Sequence, residues 1–201
     1  MAAAAYARLR PHRHRYSRVV LLGPCHRVAL RNLALSGADA FRTPLGDVPL
    51  DREAIAALDT PDVRSFEATH RLEHSLEVHL PFLQVALGPF SLVPLVVGDA
   101  APETVAEVIK ALWGGDETLI VVSSDLSHFL AYEQARARDR STCEAIERLE
   151  EFFDREGLDE LDPFRRPGHH PGSFARPRRF EIAAAINRLR SLSVNQRAAA
   201  R

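Results

Sequence analysis

The residues of this chain best placed to do chemistry are histidines that follow apolar runs. Residues 19–22 form an apolar, strand-like segment that ends in Gly23-Pro24, and Cys25-His26-Arg27 follow directly. Thr118–Val122 repeats the arrangement, running into Ser123-Ser124-Asp125-Leu126-Ser127-His128. A side chain at the tip of a buried strand is held rigidly at the rim of a sheet, where α/β proteins place metal ligands and catalytic groups. Between the two lies Glu73-His74-Ser75-Leu76-Glu77-Val78-His79-Leu80-Pro81-Phe82. Imidazole is the commonest protein ligand for divalent transition metals, and two histidines with a carboxylate leave positions open for substrate. His26, His74, His79 and His128, with Glu77 and Asp125, supply the donors for such a site. In a helix His74 and Glu77 share a face, while His79 points away from His74. Pro81 would free the carbonyl of Glu77, which predicts a bend.

Plainer readings stand beside these. A histidine at a strand end is often a hydrogen-bonded surface residue. Glu73 and Glu77 suit the first turn of a helix, where acid complements the dipole. Cys25 is read first as a small residue filling a turn, and as a reactive thiol only if its pKa is lowered. Ser123, Ser124 or Cys25 would make a hydrolase only with a base in hydrogen-bond reach, and no Gly-x-Ser-x-Gly elbow is present. His12 and His14, flanked by arginines, read as solvated. His169-His170 lie in a Gly-Pro-rich stretch, a poor ligand scaffold.

The elements that must position these groups follow from periodicity and punctuation. Residues 2–9 read as a short Ala-rich helix, 10–17 as a polar link and 18–22 as a strand. Segments 30–35, 39–41 and 63–66 read as short strands, and 43–50 as turn-rich. Asp51 is the expected N-cap of a helix over 52–58. Residues 90–97 form a near-continuous apolar strand, which Pro94 assigns to an edge or a bulge. Pro102 opens a helix to Trp113, stopped by Gly114-Gly115. Thr118–Val122 reads as the clearest buried strand. Residues 132–153 read as a long charged helix, apolar at Ala135, Cys143, Ile146, Leu149 and Phe153. This alternation predicts an α/β fold, a layered sheet core flanked by helices.

The 201 residues suffice for one domain with a full core, and a hydrophobic share of 46% with a formal charge of -1 fits a globular chain. This composition gives no support to a nucleic-acid or membrane role, and no apolar stretch approaches the roughly 18–20 residues of a span. Two cysteines are too few for a disulfide framework. The start lacks the order of a signal peptide, so the cytoplasm is the expected compartment. Composition divides the chain into an α/β domain over 1–163 and a basic tail over 164–201. The tail is expected to pack poorly, although residues 180–192 carry an apolar stripe at helical spacing.

Five ordered motifs resemble those of the Memo family. They are Gly23-Pro24-Cys25-His26-Arg27, Thr43-Pro44-Leu45-Gly46, the stretch from Glu73 to Phe82, Val93-Pro94-Leu95-Val96-Val97-Gly98, and the stretch from Ser123 to His128. The chain looks like the prokaryotic branch, the B component of the AmmeMemoRadiSam system. The resemblance implies a fold similar to class III extradiol ring-cleaving dioxygenases and a cleft with Fe(II) or Cu. It makes His26 a metal ligand and His128 the catalytic acid–base residue, with His74, Glu77, His79, Asp125 and Cys25 lining the cleft. It also implies AmmeMemoRadiSam proteins as partners and a small molecule or peptide in the cleft. The family's Pro-His-Ala-Gly-Tyr segment and its Cys-Gly-x-x-Pro motif, each carrying a further ligand, have no counterpart here. The expectation is therefore a chain truncated at its start and divergent at its end, with weak or absent metal binding. A metal-dependent, dioxygenase-like oxidoreductase is one functional reading. A non-enzymatic module binding peptide or protein in the same cleft is the other.

Overall fold

The computed structural model describes residues 2–58 and 60–148. The expected boundary at 163, Leu149, Phe153, His169-His170 and the basic tail with its 180–192 helix lie outside the described residues. In chain order the elements are α1 (Ala2–Ala7), β1 (Arg18–Pro24), β2 (Leu33–Leu35), β3 (Ala40–Thr43), β4 (Gly46–Pro49), α2 (Arg52–Ala56), β5 (Val63–Ser65), α3 (Leu80–Leu87), β6 (Ser91–Val97), α4 (Pro102–Ala111), β7 (Thr118–Val122) and α5 (Tyr132–Arg148).

Five strands make a mixed sheet in the order β5-β2-β6-β1-β7. β1 pairs in parallel with both β6 and β7, and β2 joins antiparallel to β6. Side chains alternate across a strand, so one apolar run feeds two cores. Val20, Leu22, Val93 and Leu95 face α4, packing with Val105, Val108 and Ile109. Val19, Leu21, Leu92 and Val96 face the other way, packing with Leu80, Leu83 and Leu87 of α3 and with Tyr6 of α1. The result is a three-layer α/β arrangement, a central mixed sheet flanked by helices. Among the described residues no helix is long and apolar enough to cross a membrane.

Local chemistry explains most boundaries. Asp51 caps α2 by accepting from the Ala54 N–H at 2.9 Å, and it also receives Arg18 Nε at 2.7 Å. Pro102 occupies the first turn of α4, and Gly114, at φ 59°, follows its end.

Four expectations change. The turn-rich segment is a hairpin: β3 and β4 pair antiparallel, Thr43 Oγ1 accepts from the Leu45 N–H at 3.0 Å, and Gly46 takes φ 115°. Pro94 sits in the third strand of five rather than on an edge. The Leu92 carbonyl accepts from the Asp51 N–H, so by alternation Pro94 turns its N toward the side of β2. There β2 pairs only with Val96 and Val97, so Pro94 interrupts no ladder bond. β7, read as the clearest buried strand, is an edge strand whose five residues are all half-buried. An apolar run reports two apolar faces, not the number of strand neighbours. Finally, no bend occurs at Pro81. A 3-10 turn, Glu77–His79, leads into α3, and Pro81 lies in the first turn of that helix, where its missing N–H costs nothing.

Candidate functional site

Because β1 and β7 are parallel neighbours, in register from Arg18↔Thr118 to Leu22↔Val122, both chains leave the sheet at the same rim. Residues 25–26 and 123–125 are thereby brought together. The loop after Arg71 closes over the exit of β1, where the Ser75 hydroxyl donates to the Pro24 carbonyl at 2.8 Å. A methyl on Gly23 would come within 2.8 Å of Leu76 Cδ2 and 3.1 Å of Ser75 Oγ, so glycine admits this close approach without displacing either side chain.

Glu73 organises the site. Its carboxylate, with 2% of the side chain exposed, accepts from four N–H groups. They are the His26 backbone N–H at 2.5 Å, the His26 Nδ1 at 2.9 Å, the His74 N–H at 2.9 Å and the Ser75 N–H at 3.1 Å. Burial pushes this carboxyl up, and the bonds from His26 and Ser75 outweigh it, holding it below the usual glutamate range. The opposite edge of the His26 ring turns to Asp125, Nε2 to Oδ2 at 3.1 Å. Burial alone would lower the His26 pKa, but its bonds to Glu73 and Asp125 prevail and raise it. An imidazole with a carboxylate at each nitrogen suits a proton at Nε2, or a metal cation in that proton's place.

His74 stacks on His26 with ring centroids 5.2 Å apart and an interplanar angle of 21°. One donor atom each of His26, Glu73 and His74 lies within 4.8 Å of the others. Glu73 is nonetheless the orienting group rather than a ligand, because its oxygens are already committed to N–H donors. The open coordination edge is His26 Nε2 with Asp125. Glu73 was read from the sequence only as a helix-start acid. The signal that could have found it is its place directly before His74 in a chain where carboxylates orient histidine ligands.

His128 is exposed three residues beyond Asp125, with Nδ1 2.8 Å from the Leu126 carbonyl. Glu77 is exposed in the 3-10 turn and shares no helical face with His74. His79 bridges two elements, Nδ1 to the Tyr6 hydroxyl at 2.8 Å and Nε2 to Ser123 Oγ at 2.9 Å. Cys25 is buried and donates to the Val28 carbonyl at 3.0 Å; burial pushes its thiol up, the opposite of a reactive thiolate.

Burial pushes His79 below its ordinary value, and His70, donating from Nε2 to the Ala34 carbonyl at 3.2 Å, is lowered for the same reason. The folded pKa of each lies below the unfolded value of 6.5, so the unfolded chain binds more protons as pH falls through that value. Their contribution to stability is complete above that pH and is lost below it. His26, whose folded pKa is raised, works in the opposite direction over the same range, so the test is comparative: urea unfolding at pH 7.5 and 5.5 should show less loss of stability on acidification in His70→Gln than in the parent. An unchanged difference would remove His70 from the acid response.

The Memo-like protein family matches residues 1–160. A MEMO1 family protein of Aquifex aeolicus is 40% identical over 143 residues, 66% of this chain and 51% of that protein. Another, from Methanococcoides burtonii, is 38% identical over 152 residues, 73% of this chain and 56% of the relative. The chain thus spans about half the length of the curated relatives it matches. An uncharacterized Escherichia coli K12 protein of known structure matches at a TM-score of 0.41 and 15% identity, covering 63% of this chain and 54% of its own. By the family match and these relatives, the chain belongs to the Memo-like protein family.

Proposed function

We propose that the rim of β1 and β7 is a metal-assisted site of the non-haem dioxygenase type, with Fe(II) or Cu as its cation. The observation that supports it is His26. Its Nδ1 is fixed by a buried carboxylate and its Nε2 is turned to a second carboxylate, the layout in which an orienting acid prepares a histidine ligand. The donor set fits a divalent cation: His26 Nε2 and Asp125 would hold it, and Glu73 would keep the ring in place. When bound, such a cation supplies Lewis-acid and one-electron chemistry. Glu73 fixes the tautomer of His26, and His74 stacks on one face of its ring. Two protein donors hold metal weakly, because affinity depends on several preorganised ligands. A role with AmmeMemoRadiSam partners follows from the family resemblance and forms part of the same proposal.

Anaerobic titration of the full chain with Fe(II), and separately with Cu(II), is the test. Uptake should be stoichiometric but lost on dialysis against a chelator, and His26→Ala should abolish it. No uptake at all sinks the reading. Retention through dialysis overturns the two-donor set.

A second reading is a non-enzymatic module that binds peptide or protein at this rim. Leu126, Phe129 and Tyr132 favour it, being 39%, 71% and 74% exposed just beyond Asp125. Large exposed apolar side chains of this kind are common at binding surfaces. Metal uptake without any oxygen consumption in the presence of a catechol would support this alternative.

A further inference from the structure

Tyr6, His79 and Ser123 form a hydrogen-bonded chain that the metal reading does not use. Tyr6 lies on α1, His79 just before α3 and Ser123 at the exit of β7, so three elements meet in it. A serine with an imidazole at 2.9 Å and a third group 2.8 Å behind that imidazole has the layout of a nucleophile, a base and an orienting residue. Its direction decides otherwise.

The Tyr6 ring is buried and stacks on Phe82 at 5.7 Å, and among the described residues its hydroxyl bonds only to His79 Nδ1. Burial pushes the phenol up to about 12, so it keeps its proton at neutral pH. A buried hydroxyl with one partner donates to it, since an orphaned donor is costlier than an unused lone pair. Nδ1 of His79 is therefore the acceptor. Burial keeps this imidazole neutral, so its single proton sits on Nε2 and points at Ser123 Oγ. With that proton in place His79 faces Ser123 as a donor rather than as a base, so the pair is not set as nucleophile and base. Instead, the serine oxygen is filled by a donor on its inner side. Its backbone N–H is spent on the Leu22 carbonyl at 2.8 Å, which fixes its place.

We propose that Ser123 is a ligand-binding hydrogen-bond donor, polarised by Tyr6 and His79, whose hydroxyl proton is presented outward to an anionic oxygen. The ligand class is a small carboxylate or phenolate. Ser123 lies two residues before Asp125, no more than about 7 Å along the backbone, so the oxygen would sit beside the proposed cation. The proposal deepens the metal reading and rests on it for the ligand's position, not for the polarity of the chain.

The test has two arms on the full chain. Long-range ¹⁵N–¹H NMR at pH 7.5, without metal, should show His79 protonated at Nε2 and bare at Nδ1, and Tyr6→Phe should move the Nδ1 resonance toward that of an acceptor without a donor. In the second arm 4-nitrophenolate is titrated with Zn(II) present as a redox-silent cation. Ser123→Ala should weaken binding about tenfold or more, as expected for a bond to a charged acceptor, while Ser123→Thr should bind as the parent does. A proton on Nδ1 in the parent overturns the proposal. So does equal binding by Ser123→Ala, or no binding by the parent. If the tautomer and the Ser123 dependence hold without Zn(II), this proposal stands by itself, and the metal reading is decided by the Fe(II) and Cu(II) titration.

Discussion

Replacing Glu73 with alanine should destabilise the protein by about 2–4 kcal/mol, chiefly through backbone donors left without an acceptor. Four donors lose their acceptor together: the backbone N–H groups of His26, His74 and Ser75, and His26 Nδ1. Each buried donor left unsatisfied costs about 1–3 kcal/mol, with water filling the space repaying part. Glu73→Gln should fall between parent and alanine. Its carbonyl can replace the oxygen that serves His74, Ser75 and His26 Nδ1, as a weaker neutral acceptor, but its amide then opposes the His26 backbone N–H, donor against donor. Metal uptake should fall in both variants, since neither holds the His26 ring as the carboxylate does. Urea unfolding beside Fe(II) titration measures both effects. A Glu73→Ala protein within about 1 kcal/mol of the parent, a loss typical of ordinary positions, would show that the loop does not depend on this carboxylate.

The role of Glu73 marks where sequence reading stopped. The strand ends were legible because apolar runs closed by Gly-Pro or Ser-Ser leave few other solutions, and two parallel strands must then end at one rim. This located His26 and Asp125. Which side chain of each exit segment reaches its neighbour was not legible, since one residue's shift turns a side chain to the opposite face. So the bond from Asp125 to His26 is visible only in the structure. The stretch from Glu73 to Phe82 has a helix-like spacing of His74 and Glu77, yet its first residues form an irregular loop. Buried carboxylates that satisfy backbone donors have no periodicity to betray them. The partnership of His79 with Tyr6 and Ser123 joins residues 73 and 44 positions apart, a separation that no local pattern encodes. Pro94 shows the converse: local chemistry spoke for an edge, and a short neighbouring strand met the same need inside the sheet.

Gly98→Ala should cost about 3 kcal/mol or more, at or above the top of the usual range for overpacking. Gly98 is buried where β6 ends against the segment that enters β2. Three backbone bonds lace the two paths: the Gly98 N–H to the Asn32 carbonyl at 2.9 Å, the Asp99 N–H to Leu30 at 2.8 Å, and the Asn32 N–H to Asp99 at 3.1 Å. A methyl at this position would be driven into the Leu30 carbonyl, with the carbonyl carbon and Leu30 Cβ each 2.7 Å away. Because the obstacle is mostly backbone, no rotamer change relieves it, and the paths must separate at the expense of those bonds. Asn32, at φ 60°, already holds a conformation that side chains rarely adopt, so the segment has little freedom to yield. Gly37→Ala is the control, since its methyl would meet only Ser65 Oγ at 3.4 Å and Glu67 Oε2 at 4.0 Å. That variant should stay within about 0.5 kcal/mol of the parent. Urea midpoints of the two variants decide the matter, and equal midpoints would mean that the crossing beneath the site is loosely packed.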